Sequence, residues 1–249
     1  MVKTMKLNKF CLITGKDILF ENSFYIHSPT IEELGSHNIQ EEDWLKALRV
    51  ITITKSVLQY IPEGKEDVNM FFFFVAVLAN PNLPELEKHN IITVLKLILN
   101  RYEIMLVDKG IMLLNKDNKD ETYLINETNF EIFQSYLKEI FCLDKFFSEE
   151  QEYNVKSEKA KRIAAQLQQR HKILNEKKGL TEGSTLNSYI SILAIGVGIP
   201  LENLVNKTIY QIFYLLDRYT LYYNVDLDLR CRLAGGSSEK EMDNWMKII

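Results

Sequence analysis

Residues Met70 to Ala79, MFFFFVAVLA, form ten uninterrupted apolar positions. A helix crossing a bilayer needs roughly 20 such residues, so the run is about half a span and has to be covered by other means. The reading it favours is a helix buried on all sides inside a folded body, with a membrane- or partner-docking segment as the lesser alternative. A body able to hide it needs considerable apolar mass, and 249 residues at 46% hydrophobic supply enough for one large domain or two smaller ones. Only 10 Gly and 5 Pro punctuate the chain, which favours helix over sheet.

The pattern around that run changes period along the chain. FCLITGKDILFENSFYI suggests a small hairpin from about Phe10 to Ile26, turning at Gly15–Asp17. SPTIEEL reads as a helix start capped by Ser28, with Pro29 in its first turn. Helical spacing runs from Trp44 through Leu48 and Ile51 toward Ile61, and again from Pro84 to Asn100. Residues 102–125 then read as strand, DKG turn, strand, polar loop, strand. An amphipathic helix follows, to about Leu143.

These segments make residues 1–150 an α+β N-terminal domain. It lacks a Gly-rich phosphate loop and a strand–Gly–helix nucleotide fingerprint. Residues 151–179 read as a basic, exposed linker helix closed by Gly179. Residues 180–249 read as a helical C-terminal domain: a helix from Thr185 to about Ala194, a short one from Leu201 and a long one from about Thr208. Trp245 is expected to anchor the tail. The expected fold class is therefore mixed α+β and mainly helical, with small hairpins confined to the N-terminal unit.

Charge follows the same division. Residues 1–150 carry 16 Lys/Arg against 23 Asp/Glu, residues 151–179 carry 8 against 3, and residues 180–249 carry 6 against 8. The overall balance of −4 argues against a protein that binds polyanions through its bulk field. Cys11, Cys142 and Cys231 are far apart, as are the four histidines, which points to a reduced compartment with neither a disulfide framework nor a zinc site. The first residues hold no continuous apolar stretch of signal-peptide type. A cytoplasmic protein with no cofactor and no membrane association is the expectation.

The segment DLDLRCR, Asp226 to Arg232, raises the question of a carboxylate site. Two residues apart on a helix is about 200° of rotation, so Asp226 and Asp228 diverge and do not converge on one atom. The i,i+4 relation instead pairs Asp226 with Arg230 and Asp228 with Arg232, acid before base, the favourable order. Cys142 lies in an apolar context and Cys231 in the last helix, neither near a histidine in sequence. No catalytic residue is expected, and the chain reads as something other than an enzyme.

Candidate contact residues remain. Along the last helix Ile209, Ile212, Phe213, Leu216, Thr220, Tyr223 and Leu227 form a core stripe, which leaves Tyr210, Tyr214 and Tyr222 at its edge or outside. Tyrosine there suits either packing against the rest of the chain or intermolecular contact. Lys159, Arg162, Arg170 and Lys172 in the basic segment have three readings: a solvated linker face, docking on an acidic protein surface, or contact with nucleic-acid phosphates. No aromatic residue interleaves the basic ones between Tyr153 and Lys178, which speaks against nucleic acid.

Four elements of the C-terminal third occur in a recognisable order. They are a basic helix with Ala160, Ile163 and Ala164; a helix opening with Thr208-Ile209-Tyr210-Gln211 and carrying Asp217 and Arg218; Asp226, Arg230, Leu233, Ala234 and Gly235; and Trp245. This arrangement resembles the ends of tailed-bacteriophage virion assembly or minor structural proteins, departing where Lys207 replaces a leucine. The resemblance implies tail- or baseplate-associated morphogenesis through protein–protein contacts, as minor subunit or assembly chaperone, and brings no enzymatic residues. Implied partners are other virion proteins, with self-association open, in the host cytoplasm during assembly or in the virion. The alternative is a nucleic-acid-associated phage protein binding through residues 156–178.

Overall fold

The structure, a computed structural model, describes residues 7–53, 69–107, 109–146 and 185–234. Among them are ten helices and two small antiparallel sheets, a mixed α+β and mainly helical protein.

The first helix, α1 (Lys9–Thr14), is capped by the Asn8 side chain and closed by Gly15 in the left-handed region at φ 68°. Gly15 is thus a helix C-cap, where its missing Cβ removes the left-handed penalty. The expected hairpin starts later than the sequence reading placed it: β1 (Ile18–Phe20) pairs with β2 (Phe24–Ile26). Its turn runs from Phe20 to Ser23, with Glu21 and Asn22 at φ 44° and 58° and the Ser23 amide donating to Phe20 O at 2.8 Å. Glycine at position 15 drew the turn assignment, but the turn rests on Glu21 and Asn22.

Helix α2 (Ile31–Ser36) is capped by Thr30, two residues beyond the expected Ser28. Thr30 Oγ1 accepts from the Glu33 amide while Glu33 Oε2 accepts from the Thr30 amide, a reciprocal capping box. Helix α3 (Glu41–Ile51) follows. Its end is met by Gln134, a buried amide whose nitrogen donates to Ile51 O at 2.8 Å and Ile53 O at 3.0 Å. Those carbonyls have no partner within the helix.

The apolar run forms α4 (Met70–Ala79), capped by Asn69. It is not buried on all sides. Met70, Phe71 and Phe74 are buried, whereas Phe72 is 55% and Val75 39% exposed. The stacked pair Phe74–Phe130, at 5.3 Å, and the edge contact Phe71–Phe130, at 5.5 Å, fix which side faces inward. Ten apolar residues in a row carry no helical period, so the sequence could not say which side would be covered.

Helix α5 (Glu85–Ile98) leads into an antiparallel meander of β3 (Tyr102–Val107), β4 (Gly110–Asn115) and β5 (Thr122–Ile125). This is the strand order expected from the sequence, with Tyr102 opposite Asn115 and Ile111 opposite Ile125. Helix α6 (Phe130–Ile140) ends sooner than expected. Cys142 at φ 49° redirects the chain into α7 (Leu143–Phe146).

The C-terminal elements are α8 (Thr185–Val197), α9 (Leu201–Val205) and α10 (Ile209–Leu233). Leu186, Ile190, Leu193, Leu204, Ile209, Ile212 and Phe213 lie in the same hydrophobic core as the N-terminal elements. The join is a chain of aromatic contacts. Trp44 meets Phe146 at 5.9 Å, Phe146 meets Phe213 at 5.1 Å, and Phe213 meets Tyr189 at 5.3 Å. The expected linker, 151–179, lies outside the described residues.

A charged cluster ties the hairpin to its surroundings. His27 Nδ1 lies 2.8 Å from Asp17 Oδ1, and its Nε2 lies 3.2 Å from Glu33 Oε1. Arg101 donates to Asp17 Oδ2 at 2.8 Å. Burial opposes a charged imidazole, but the Asp17 hydrogen bond and the charges of Glu33 and Asp17 outweigh it and raise the His27 pKa above 6.5. The hydrogen bond to His27 leads in lowering the Asp17 pKa below 3.8 despite burial. Burial works against the Glu33 carboxylate too, yet its hydrogen bonds from Thr30 and the neighbouring His27 bring its pKa below 4.5.

Two outcomes test this packing. Phe74→Ala should destabilise the protein by about 3–5 kcal/mol, whereas Phe72→Ser should change it by about 0.5 kcal/mol or less, both read from urea midpoints. The His27 contribution is complete below its unfolded pKa and lost as pH rises through the elevated folded value. The carboxylate contributions are complete above their unfolded pKa values and lost in acid. The cluster is therefore strongest between 4.5 and 6.5. Stability should fall on moving from pH 6 to 8, and His27→Gln should flatten that slope in chemical denaturation.

Candidate interaction surface

Helix α10 begins at a second capping box. Thr208 Oγ1 accepts from the Gln211 amide, and Gln211 Oε1 accepts from the Thr208 amide at 2.9 Å. The Thr-Ile-Tyr-Gln sequence is thus a helix-start device, in which side chains satisfy two amides that the first turn leaves without partners. Gln211 also donates through Nε2 to Ile13 O at 2.8 Å, tying α10 to α1. Thr30 and Thr208, the two N-caps, face each other across an isolated antiparallel bridge, and the Ile31 amide donates to Lys207 O at 3.0 Å. Lys207, where the resemblance leads to a leucine, contributes its backbone to this contact.

Nearly two turns further on, Lys145 of α7 reaches both carboxylate oxygens of Asp217 at 2.8 Å. Arg218 lies over the Tyr214 ring, 5.3 Å from its centroid. Helices α8 and α10 run side by side in the same sense, since Tyr189 meets Phe213 and Gly196 meets Tyr219. A Cβ on Gly196 would come within 2.5 Å of the Tyr219 ring and hydroxyl, so glycine is what permits this approach. Helix α8 ends at Val197, directly after that contact.

Beyond it, α10 continues for 14 residues, about 21 Å. All its buried residues, Ile209, Ile212 and Phe213, lie in the first two turns. In the distal part Tyr222 is 57% exposed and Leu233 80%, and Tyr223, Leu227 and Leu229 are exposed as well. The core stripe read from the sequence is continuous in chemistry but leaves the core midway, so that Tyr223 and Leu227 end in solvent. The two ion pairs form as the spacing required: Arg230 to Asp226 at 2.8 Å and Arg232 to Asp228 at 2.9 Å. The same end of the molecule exposes Ile195 and Val197 of α8 and Leu201 of α9.

Of the tyrosines expected at the edge of the helix, Tyr210 is half-buried against the core and Tyr214 carries Arg218, while Tyr222 stands free of the core. Lys159, Arg162, Arg170 and Lys172 lie outside the described residues, as does Trp245. A second apolar surface escaped the sequence reading: Met105 and Val107 of β3 and Leu124 of β5, on one face of the meander, are exposed, as is Leu106 on the other face. Strand alternation hinted at it, but which side the helices cover is a tertiary matter.

The cysteines differ in setting. Burial, helped by the nearby Asp144 charge, pushes the Cys142 thiol up to about 12. Cys11 is half-buried and Cys231 exposed, and all three are free thiols. Among the described residues, no three His, Cys, Asp or Glu side chains are grouped to hold a metal ion, and no helix is long and apolar enough to cross a membrane.

Neither the curated proteins nor the solved structures include a match to this chain. The family model described as the YomV second domain matches residues 175–249, and these include α8, α9 and α10. The C-terminal part of the protein, which carries α10, is thereby similar to a domain of a phage-associated family.

Proposed function

We propose that this is a bacteriophage morphogenesis protein that acts by protein–protein contact in tail or baseplate assembly, as a minor structural subunit or an assembly chaperone, and that it has no enzymatic role. The observation that carries the reading is the distal half of α10. It lies within the segment similar to a phage-associated domain, and it holds Tyr222, Tyr223, Leu227, Leu229 and Leu233 out in solvent. Exposed aromatic and aliphatic side chains on a well-formed helix are the material from which protein interfaces are built. A thiol held protonated by burial at Cys142 suits a structural role better than a nucleophilic one.

The test is quantitative mass spectrometry of purified particles beside infected-cell lysate. A fixed copy number per particle supports the subunit form. Abundance in cells with absence from particles, together with particles lacking tails when the gene is deleted, supports the chaperone form. Normal particles from the deletion overturn both.

The basic composition of residues 151–179, 8 Lys/Arg against 3 acidic residues, favours one further reading, association with nucleic acid. On that reading, binding to a DNA duplex weakens steeply between low and high salt, and combined charge reversal at Lys159, Arg162 and Lys172 abolishes it. Unchanged binding in the reversed variant removes this alternative.

A further inference from the structure

We propose that β3, an edge strand of the three-stranded meander, pairs antiparallel with β3 of a second copy of this chain. The two-fold axis passes through Met105 perpendicular to the sheet, and two meanders become one six-stranded sheet. This surface is separate from α10 and the pairing is a property of the purified chain, so it stands apart from any role in particles.

The edge is open. β3 has one neighbour, β4, among the described strands. Tyr102 lies opposite Asn115, and one step before them the Lys116 amide donates to Arg101 O at 3.0 Å, which fixes the phase of the ladder. Glu103, Met105 and Val107 therefore turn their backbone groups toward β4, while Ile104 and Leu106 turn theirs away from it. The strand, YEIMLV, holds no Pro and no Lys, and its one charge, Glu103, sits near its start. The devices that keep an exposed edge from pairing are thus missing, and Met105 is 44% and Leu106 57% exposed. The other edge differs: β5 is four residues long, and Asn129 Nδ2 already donates to Leu124 O at 2.9 Å.

Continuity of the side-chain rows names a second copy as the occupant. On one face Met105, Met112 and Leu124 lie opposite one another across the meander. On the other face Ile104, Leu113 and Tyr123 form one row, and Leu106, Ile111 and Ile125 the next. An axis at Met105 sets Met105 against Met105. It also sets Ile104 against Leu106 of the second copy, twice by symmetry. All three rows then continue across the junction, apolar against apolar on the same face, and the outward backbone groups of Ile104 and Leu106 meet. The two Glu103 side chains are offset by about 13 Å along the strands, so like charges do not face each other. The neighbouring registers are poorer. An axis at Ile104 sets Leu106 against Tyr102, whose amide already donates to Leu99 O at 2.9 Å. An axis at Leu106 sets Ile104 against Asp108, an acid in an apolar row. One six-residue edge offers less than the roughly 800 Å² per partner of a standard interface, so the pairing should be concentration-dependent, with Kd on the order of micromolar.

The experiment is sedimentation velocity of the full chain over a hundredfold concentration range. Wild type should shift from monomer to dimer. Met105→Lys and Met105→Glu should each stay monomeric, because like charges directly opposite oppose pairing, and an equimolar mixture of the two should regain the dimer. That rescue also shows that both variants are folded. Leu106→Pro should stay monomeric with an unchanged circular dichroism spectrum, since the amide it removes points away from β4 and proline is tolerated at such edge positions. Wild type that is monomeric throughout overturns the proposal. So does a dimer that Met105→Lys or Leu106→Pro leaves intact, and so does a charge-swapped mixture that fails to dimerise.

Discussion

The contact on which the rest of the arrangement depends is the junction of two helix starts, Thr30 and Thr208. Each threonine caps its own helix, and each cap is completed from the third helical residue, Glu33 in one case and Gln211 in the other. The caps meet across an antiparallel bridge, reinforced by the Ile31 amide on Lys207 O. Residues nearly 180 apart in sequence are thereby joined main chain to main chain, at a place where helix ends would otherwise leave amides unsatisfied. From this junction, hydrogen bonds run through Glu33 to His27 and Asp17 on one side and through Gln211 to Ile13 on the other. The start and direction of α10 are set here, while the aromatic contacts from Trp44 to Phe213 hold its first turns against the core.

The 25-residue helix anchored at this junction extends well past Phe213, the last of its buried residues. Among the described residues the buried positions of α10 end at Phe213; Tyr219 lies against Gly196 of α8, and the ion pairs Asp226–Arg230 and Asp228–Arg232 follow along the helix. Exposed i,i+4 pairs contribute only about 0.2–0.5 kcal/mol each.

How much of this was legible in the sequence depended on whether the signal was local. The three-strand meander was readable because alternation and turn residues lie within 24 positions. The Asp226–Arg230 and Asp228–Arg232 pairs were readable because an α-helix permits little else at that spacing. The hairpin turn was misplaced because glycine serves equally as a turn residue and a helix C-cap. Here Asn8 caps the helix that Gly15 closes, and Gln211 donates to Ile13 O near its end. The capping box at Thr30 was overlooked for Ser28 because both are good caps, and the Glu33 that decides between them was read only as a charge near the dipole. The four phenylalanines of α4 forced burial of something without saying which of them, since an unbroken apolar run has no phase.

The chain by itself determined its mainly helical character, the three-strand meander, the start of α10 and the charge order along it, because each is governed by contacts within a few residues. Tertiary structure alone decided that, among the described residues, the buried positions of α10 end at Phe213, leaving Tyr223 and Leu227 exposed on a stripe that looks uniformly like core. The reason is physical: periodicity shows that a helix has an apolar face, but the length over which that face is buried depends on where neighbouring elements end, and α8 ends at Val197.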